Sequence, residues 1–153
     1  MPFLRILSLG VLFASTSSYG QEHQPAARWI SDPTNGCRVW SPAPSPNETI
    51  AWNGGCLGGY AQGRGVLQWY VDGRPARRDE GEFRDGKLTG AGLRVEPDGG
   101  RYEGFWRGGR AHGAGRYVAP DGNVFEGFWR NGCPDQGANA RQVGASPGEC
   151  GGR

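Results

Sequence analysis

Along residues 102–107 the side chains alternate. Tyr102, Gly104 and Trp106 fall on one side of an extended chain, and Glu103, Phe105 and Arg107 fall on the other. The pattern returns 23 residues later as Phe125-Glu-Gly-Phe-Trp-Arg130, and a looser copy, Glu80-Gly-Glu-Phe-Arg84, lies the same interval before the first. A fixed short period means one supersecondary unit stacked on copies of itself, so fold and function are properties of the array. Each unit predicts two short strands: one around 102–107, a glycine-rich crossing through 108–113, and a second around 115–119. Pro120-Asp-Gly122, Pro97-Asp-Gly99 and Val71-Asp-Gly73 then turn the chain onward, since proline presets one turn position and glycine accepts positive φ. No segment has an amphipathic helical period, so almost no helix is expected in the mature chain.

Alignment on the glycines gives four units, 52–78, 79–101, 102–124 and a degenerate 125–137, the first carrying extra residues around 71–78. Equivalent first-strand positions form ladders: Trp52, Asp79, Tyr102, Phe125; then Gly54, Gly81, Gly104, Gly127; then Cys56, Phe83, Trp106, Trp129. A glycine row between aromatic rows lets rings lie flat on backbone. The aromatic row of Trp52, Phe83, Tyr102, Trp106, Phe125 and Trp129 is the candidate binding face, because so much apolar area does not stay wet. Two outcomes are open. Either the sheet's twist, an N-terminal cap and Val66, Leu93 and Tyr117 bury the row, or part of it forms a groove for a protein segment or a second copy.

Tyr102-Glu-Gly-Phe-Trp, the closing Gly113-Ala-Gly115 and the following Asp121-Gly122 resemble the MORN repeat. Phe125-Glu-Gly-Phe-Trp starts the same way but lacks the closing glycines, and Glu80-Gly-Glu-Phe with Gly90-Ala-Gly92 lacks the leading aromatic. The resemblance covers roughly 52–137. It implies an all-β, elongated single antiparallel sheet of stacked hairpins, acting as an interaction or scaffold module, with membrane lipid as a second kind of partner.

The remaining chain adds a compartment. Residues 1–20 read as a signal peptide: a short positive start, an apolar run over 6–14 and a small polar stretch, with cleavage after Gly20. That run is far shorter than the ~20 residues a spanning helix needs. Residues 21–51 depart from the repeat and read as an end cap, with Cys37-Arg-Val-Trp40 a strand and Thr49-Ile-Ala-Trp52 its return; 138–153 is a polar tail. Four cysteines in a small exported chain imply disulfides, and Cys37–Cys56 with Cys133–Cys150 each close a short loop at one end of the array. Such a loop stabilises by ~3 kcal/mol in the chain-entropy view, useful to a thin protein with 29 glycines among 153 residues.

Charge and chemistry narrow the function. Without 1–20 the chain holds 16 basic and 15 acidic residues, so no net field draws it to nucleic acid. Lys87 is the only lysine. His23 and His112 are the only histidines, and His112 has Gln62 and Thr89 as repeat equivalents, so it reads as a turn residue rather than a base. Glu103 and Glu126 recur, but as wet-face partners for Arg107 and Arg130. No motif implies a metal, a cofactor or a catalytic constellation. The expected function is a non-enzymatic exported module, periplasmic or extracellular, binding an unknown protein or itself. The alternatives are peripheral lipid binding, with Arg107, Arg110 and Arg130 at headgroups and Phe105 and Phe128 inserting, and a carbohydrate surface or accessory of an exported hydrolase, with Asp98 and Glu103 the carboxylates to test.

Overall fold

The computed structural model of the chain describes residues 26–135, 141–145 and 148–151. The expected signal peptide over 1–20, His23 and residues 136–140 of the tail lie outside the described residues. Eleven strands form one open sheet: β1 (Arg28–Ser31), β2 (Arg38–Ser41), β3 (Glu48–Trp52), β4 (Gly55–Leu57), β5 (Tyr60–Val71), β6 (Arg74–Arg84), β7 (Lys87–Val95), β8 (Arg101–Arg107), β9 (Arg110–Val118), β10 (Val124–Arg130) and β11 (Cys133–Pro134). From β4 to β11 each strand pairs antiparallel with the next. The only helical element described is a 3₁₀ turn at Glu149–Gly151.

The hairpins close on two-residue turns in which both residues have positive φ: Asp85-Gly86 at +50° and +72°, and Asn131-Gly132 at +51° and +87°. Such turns match the right-handed twist of the strands they join, and Asp-Gly and Asn-Gly are the pairs that tolerate them. The Pro-Asp-Gly segments between units are looser; Asp98 steadies one by accepting a hydrogen bond from the Gly100 amide at 2.9 Å. Successive turns are also tied to one another. Gly86 donates to the Ala61 carbonyl at 2.9 Å, Gly109 to Leu88 at 2.9 Å and Gly132 to Ala111 at 2.8 Å.

Strand register fixes the two faces. On the inner face, Trp52, Leu67, Asp79, Arg94, Tyr102, Tyr117 and Phe125 stand side by side across seven strands, each directly opposite the next. Next to them runs an unbroken row of glycine, Gly65, Gly81, Gly92, Gly104, Gly115 and Gly127, again pair by pair. The rings of the first row fold down onto the second. Trp52 lies on Gly65, and Tyr102 lies on Gly104 and Gly115, so closely that a methyl group at Gly104 would come within 2.6 Å of the Tyr102 hydroxyl. Trp106 covers Gly92 from the other side. Register shifts near Gly81 and near Gly104 add the local twist of a bulge.

Tyr117 belongs to the inner row as expected, but Val66 and Leu93 do not. They stand opposite Glu80 and Glu103 on the outer face, and the inner positions belong to Leu67 and Arg94. Arg94, not Leu93, lies 23 residues before Tyr117. A one-residue shift in strand register exchanges faces.

The ends are capped by different means. β1 and β2 form a hairpin, and β2 joins the sheet through one parallel bridge, Arg38 to Tyr60. β3 does not return along β2 as expected. It pairs with the distal half of β5, which the extra residues of the first unit have lengthened to 12 residues. Buried Asp32 fastens this cap by accepting from the Thr34 amide at 2.7 Å and the Trp52 amide at 2.6 Å. At the other end Val143 is buried, its amide donating to Gly132 at 2.8 Å and its carbonyl accepting from Ala111 at 3.1 Å. The disulfides are Cys37–Cys56 and Cys133–Cys150, the expected pairs, one at each end.

The glycine row predicts a contrast. Gly115→Ala drives a methyl group into the Tyr102 ring and should destabilise by about 1–3 kcal/mol. Gly127→Ala, at an equivalent position where a methyl group meets nothing within 4 Å, should shift the denaturant midpoint little.

Candidate functional site

Of the six aromatic residues in the candidate binding row, Trp52, Phe83, Tyr102, Trp106 and Trp129 are each 4% exposed or less, and Phe125 is half-buried. They cover one another. Trp52 and Phe83 sit 4.6 Å apart between centroids, and Tyr102 meets Trp106 at 5.1 Å and Trp129 at 4.9 Å, edge to face. Trp129 also donates through Nε1 to the Arg141 carbonyl of the C-terminal segment at 3.2 Å. The inner face is therefore the core of this thin protein, and no Trp of the row is presented as a platform for a sugar ring.

Two members of the inner row are charged. Asp79 and Arg94 stand directly opposite on β6 and β7, both buried, with Arg94 Nε donating to Asp79 Oδ1 at 2.6 Å and Nη2 to Oδ2 at 3.2 Å. Trp69 Nε1 adds a third bond to Oδ2 at 3.0 Å. Arg77 lies over the Trp69 ring at 4.2 Å, its Nε 3.4 Å from the same oxygen, while Arg94 lies over Trp106 at 4.7 Å. Burial alone would push the Asp79 carboxyl up, but Arg94 and Arg77 outweigh it and hold Asp79 below the usual carboxylate range. The sequence carried a signal for this pair, since Asp79 occupies an aromatic ladder position and Arg94 is the counterpart of Tyr117. A charge in a core row needs an opposite charge beside it.

The outer face is open. Phe105 on β8 and Phe128 on β10 are equivalent positions in successive units, 54% and 63% exposed, and Phe128 stands opposite Ala114 of the intervening β9. Beside Phe128 a shallow groove runs over Gly104, Gly115 and Gly127 between Glu103, Arg116 and Glu126. Glu126 pairs with Arg116 across the strands at 3.1 Å, rather than with Arg130 as expected, because Arg116 is its register partner. Arg130 instead reaches Asp135 at 3.6 Å, and Arg110 reaches Glu149 at 3.1 Å. Arg107 is exposed and makes no ion pair among the described residues.

His112 acts in the turn. Its Nδ1 accepts a hydrogen bond from the Asn131 amide at 3.3 Å, just as Gln62 accepts from the Asp85 amide at 3.1 Å. The position needs an acceptor that steadies the next turn, which explains why unlike residues occupy it. Among the described residues, no group of three His, Cys, Asp or Glu side chains is placed to hold a metal ion. Asp98 is bound by Arg141 at 2.6 Å, and this bond with that from the Gly100 amide holds its carboxyl below the usual range; it lies away from Glu103 on a turn.

A ladder of hairpins with a closed inner face and an open outer one defines a single-sheet repeat protein. Residues 80–101 and 102–124 each match the family model of the MORN repeat, and these two units are MORN repeats. The matched segments agree to within one residue with the expected units 79–101 and 102–124. No curated protein matches the chain.

Two titrations follow. Asp79 is depressed in the folded state, so its contribution is present above the unfolded value of about 3.9 and is lost as pH falls through the folded value. Asp79→Asn should cost about 3–5 kcal/mol at neutral pH by leaving Arg94 buried and uncompensated, and should flatten the acid limb of stability measured by denaturant at several pH values. Burial raises the Tyr102 hydroxyl from 10.0 to about 12. Wild-type stability should therefore fall between pH 10 and 12, and Tyr102→Phe should remove that part of the fall.

Proposed function

We propose that this chain is a non-enzymatic, exported interaction module that binds a protein partner, or a second copy of itself, through the outer face of its repeats. The observation that carries the reading is the pair Phe105 and Phe128, both more than half exposed and set at one repeat spacing, with a glycine-floored groove beside Phe128. Two large rings on a flat sheet, with Arg116, Glu103 and Glu126 around them, have the composition of an interface: an aromatic centre and a polar rim. The aromatic row on the inner face serves this function indirectly, by holding successive outer faces in register. Export is supported by the leader pattern over 1–20 and by two disulfides, which persist in oxidising compartments.

A second reading, attachment to the surface of a membrane, is favoured by the exposed Arg107 beside the same phenylalanines, which would set their rings into the headgroup layer. The two readings separate experimentally. Crosslinked pull-down from envelope extract together with light scattering should show a defined partner or a dimer with the wild-type chain and neither with Phe105→Ser/Phe128→Ser, at an unchanged unfolding midpoint. Monomer alone and no captured partner would count against the proposal. Flotation of the wild type with anionic liposomes, lost in the same variant, would support the membrane instead.

A further inference from the structure

The two caps approach the inner face from opposite ends, and between them lies a cavity of about 40 Å³. Trp40 of the N-terminal cap and Gly144 of the C-terminal segment contribute walls, with Trp69, Arg77, Asp79 and Arg94 below and Lys87 and Arg110 beside them. One water needs about 10–15 Å³ of such space, so the cavity of about 40 Å³ admits about three to four heavy atoms.

The charges around it do not balance. Asp79 is the only carboxylate in the lining, and Arg94 neutralises it through two hydrogen bonds. Arg110 is paired with Glu149, and the Lys87 ammonium sits 5.7 Å and 5.5 Å from the ring centres of Trp29 and Trp40. Arg77 is left over. Its Nε is buried without a hydrogen-bond partner, because the nearest oxygen, Asp79 Oδ2, already accepts from Arg94 and Trp69. Its guanidinium is fixed in plane by the Trp69 ring, and among the described residues it donates no hydrogen bond. Glu48 and Glu96 act on Arg77 from farther off, but neither lines the cavity, and Glu48 is bound by the Ser41 hydroxyl at 2.8 Å.

We propose that this cavity is a binding site for one small carboxylate, which receives the fork of Arg77 and lies between Trp40 and Trp69. The positive charge left in excess at Arg77 and Lys87 calls for an anion, and a carboxylate group supplies it in three heavy atoms with the planar geometry that a guanidinium matches. Phosphate brings more heavy atoms than the space accommodates. The site is independent of the outer face, since Phe105 and Phe128 line no part of it.

The test is titration of the full disulfide-bonded chain with acetate, inorganic phosphate and chloride at constant ionic strength. It is read by the Arg77 Nε–Hε resonance and by tryptophan fluorescence. Acetate should give a saturable one-site shift of that resonance and a fluorescence change that chloride does not give. Arg77→Lys, which keeps the charge but loses the fork, should weaken acetate binding by about tenfold or more without changing the far-ultraviolet dichroism. Phe105→Ser/Phe128→Ser should bind acetate normally, which separates this site from the outer-face reading. Absence of a saturable Arg77 shift with acetate in the wild type would overturn the site, whatever the stability of the variant. Tighter saturation by phosphate than by acetate would overturn the assignment to a carboxylate.

Discussion

The packing of aromatic rings onto bare backbone is the constraint from which the rest of this structure follows. A single sheet has no second layer to bury its apolar face, so a chain of this thickness must make a core from the side chains of one face alone. It does so by dedicating a cross-strand row to glycine, from Gly65 to Gly127, and packing the rings of Trp52, Tyr102 and Trp106 against it. Glycine inside a strand is unfavourable in isolation. Here the loss is offset by burying whole indole and phenol rings within the height of one side chain, at roughly 25 cal/mol for each Å² removed from water.

That arrangement forces the two faces apart in role. The inner side is consumed by its own packing and closed by the caps, each fastened by a disulfide and by backbone bonds to the hairpin turns. The outer side leaves Phe105 and Phe128 outside the core packing, both more than half exposed. The cavity arises at the seam, where Trp40 and Gly144 come in from opposite ends over the two charged members of the inner row.

Much of this was legible in the chain. The period, the turns between units, the disulfide pairs and the ladder positions all depend on local spacing, whereas the expected crossing over 108–113 is a two-residue turn followed by β9 from Arg110. Two features depend on more than local spacing. Val66 and Leu93 look like core residues by hydrophobicity, yet the length of β5 and the count back from Tyr117 place them outside, and only pairing resolves a shift of one residue. The strand pairing of the N-terminal cap likewise depends on which edge is free, and the elongated first hairpin offers β3 a better edge than β2 does. Asp79 and Arg94 stood in plain view at aromatic positions, but their meaning emerges only when the register sets them opposite each other.

That opposition bears on how an array of near-copies finds its alignment. Hairpins this similar have competing pairings, offset by one unit, that satisfy the same glycines and bring similar rings together. In such an offset Asp79 would face an aromatic residue instead of Arg94, and the carboxylate would lose its two cross-strand hydrogen bonds and keep only Arg77 of its own strand. The charged couple thus distinguishes one alignment from its near-equivalents, as a single notch orients an otherwise symmetric key.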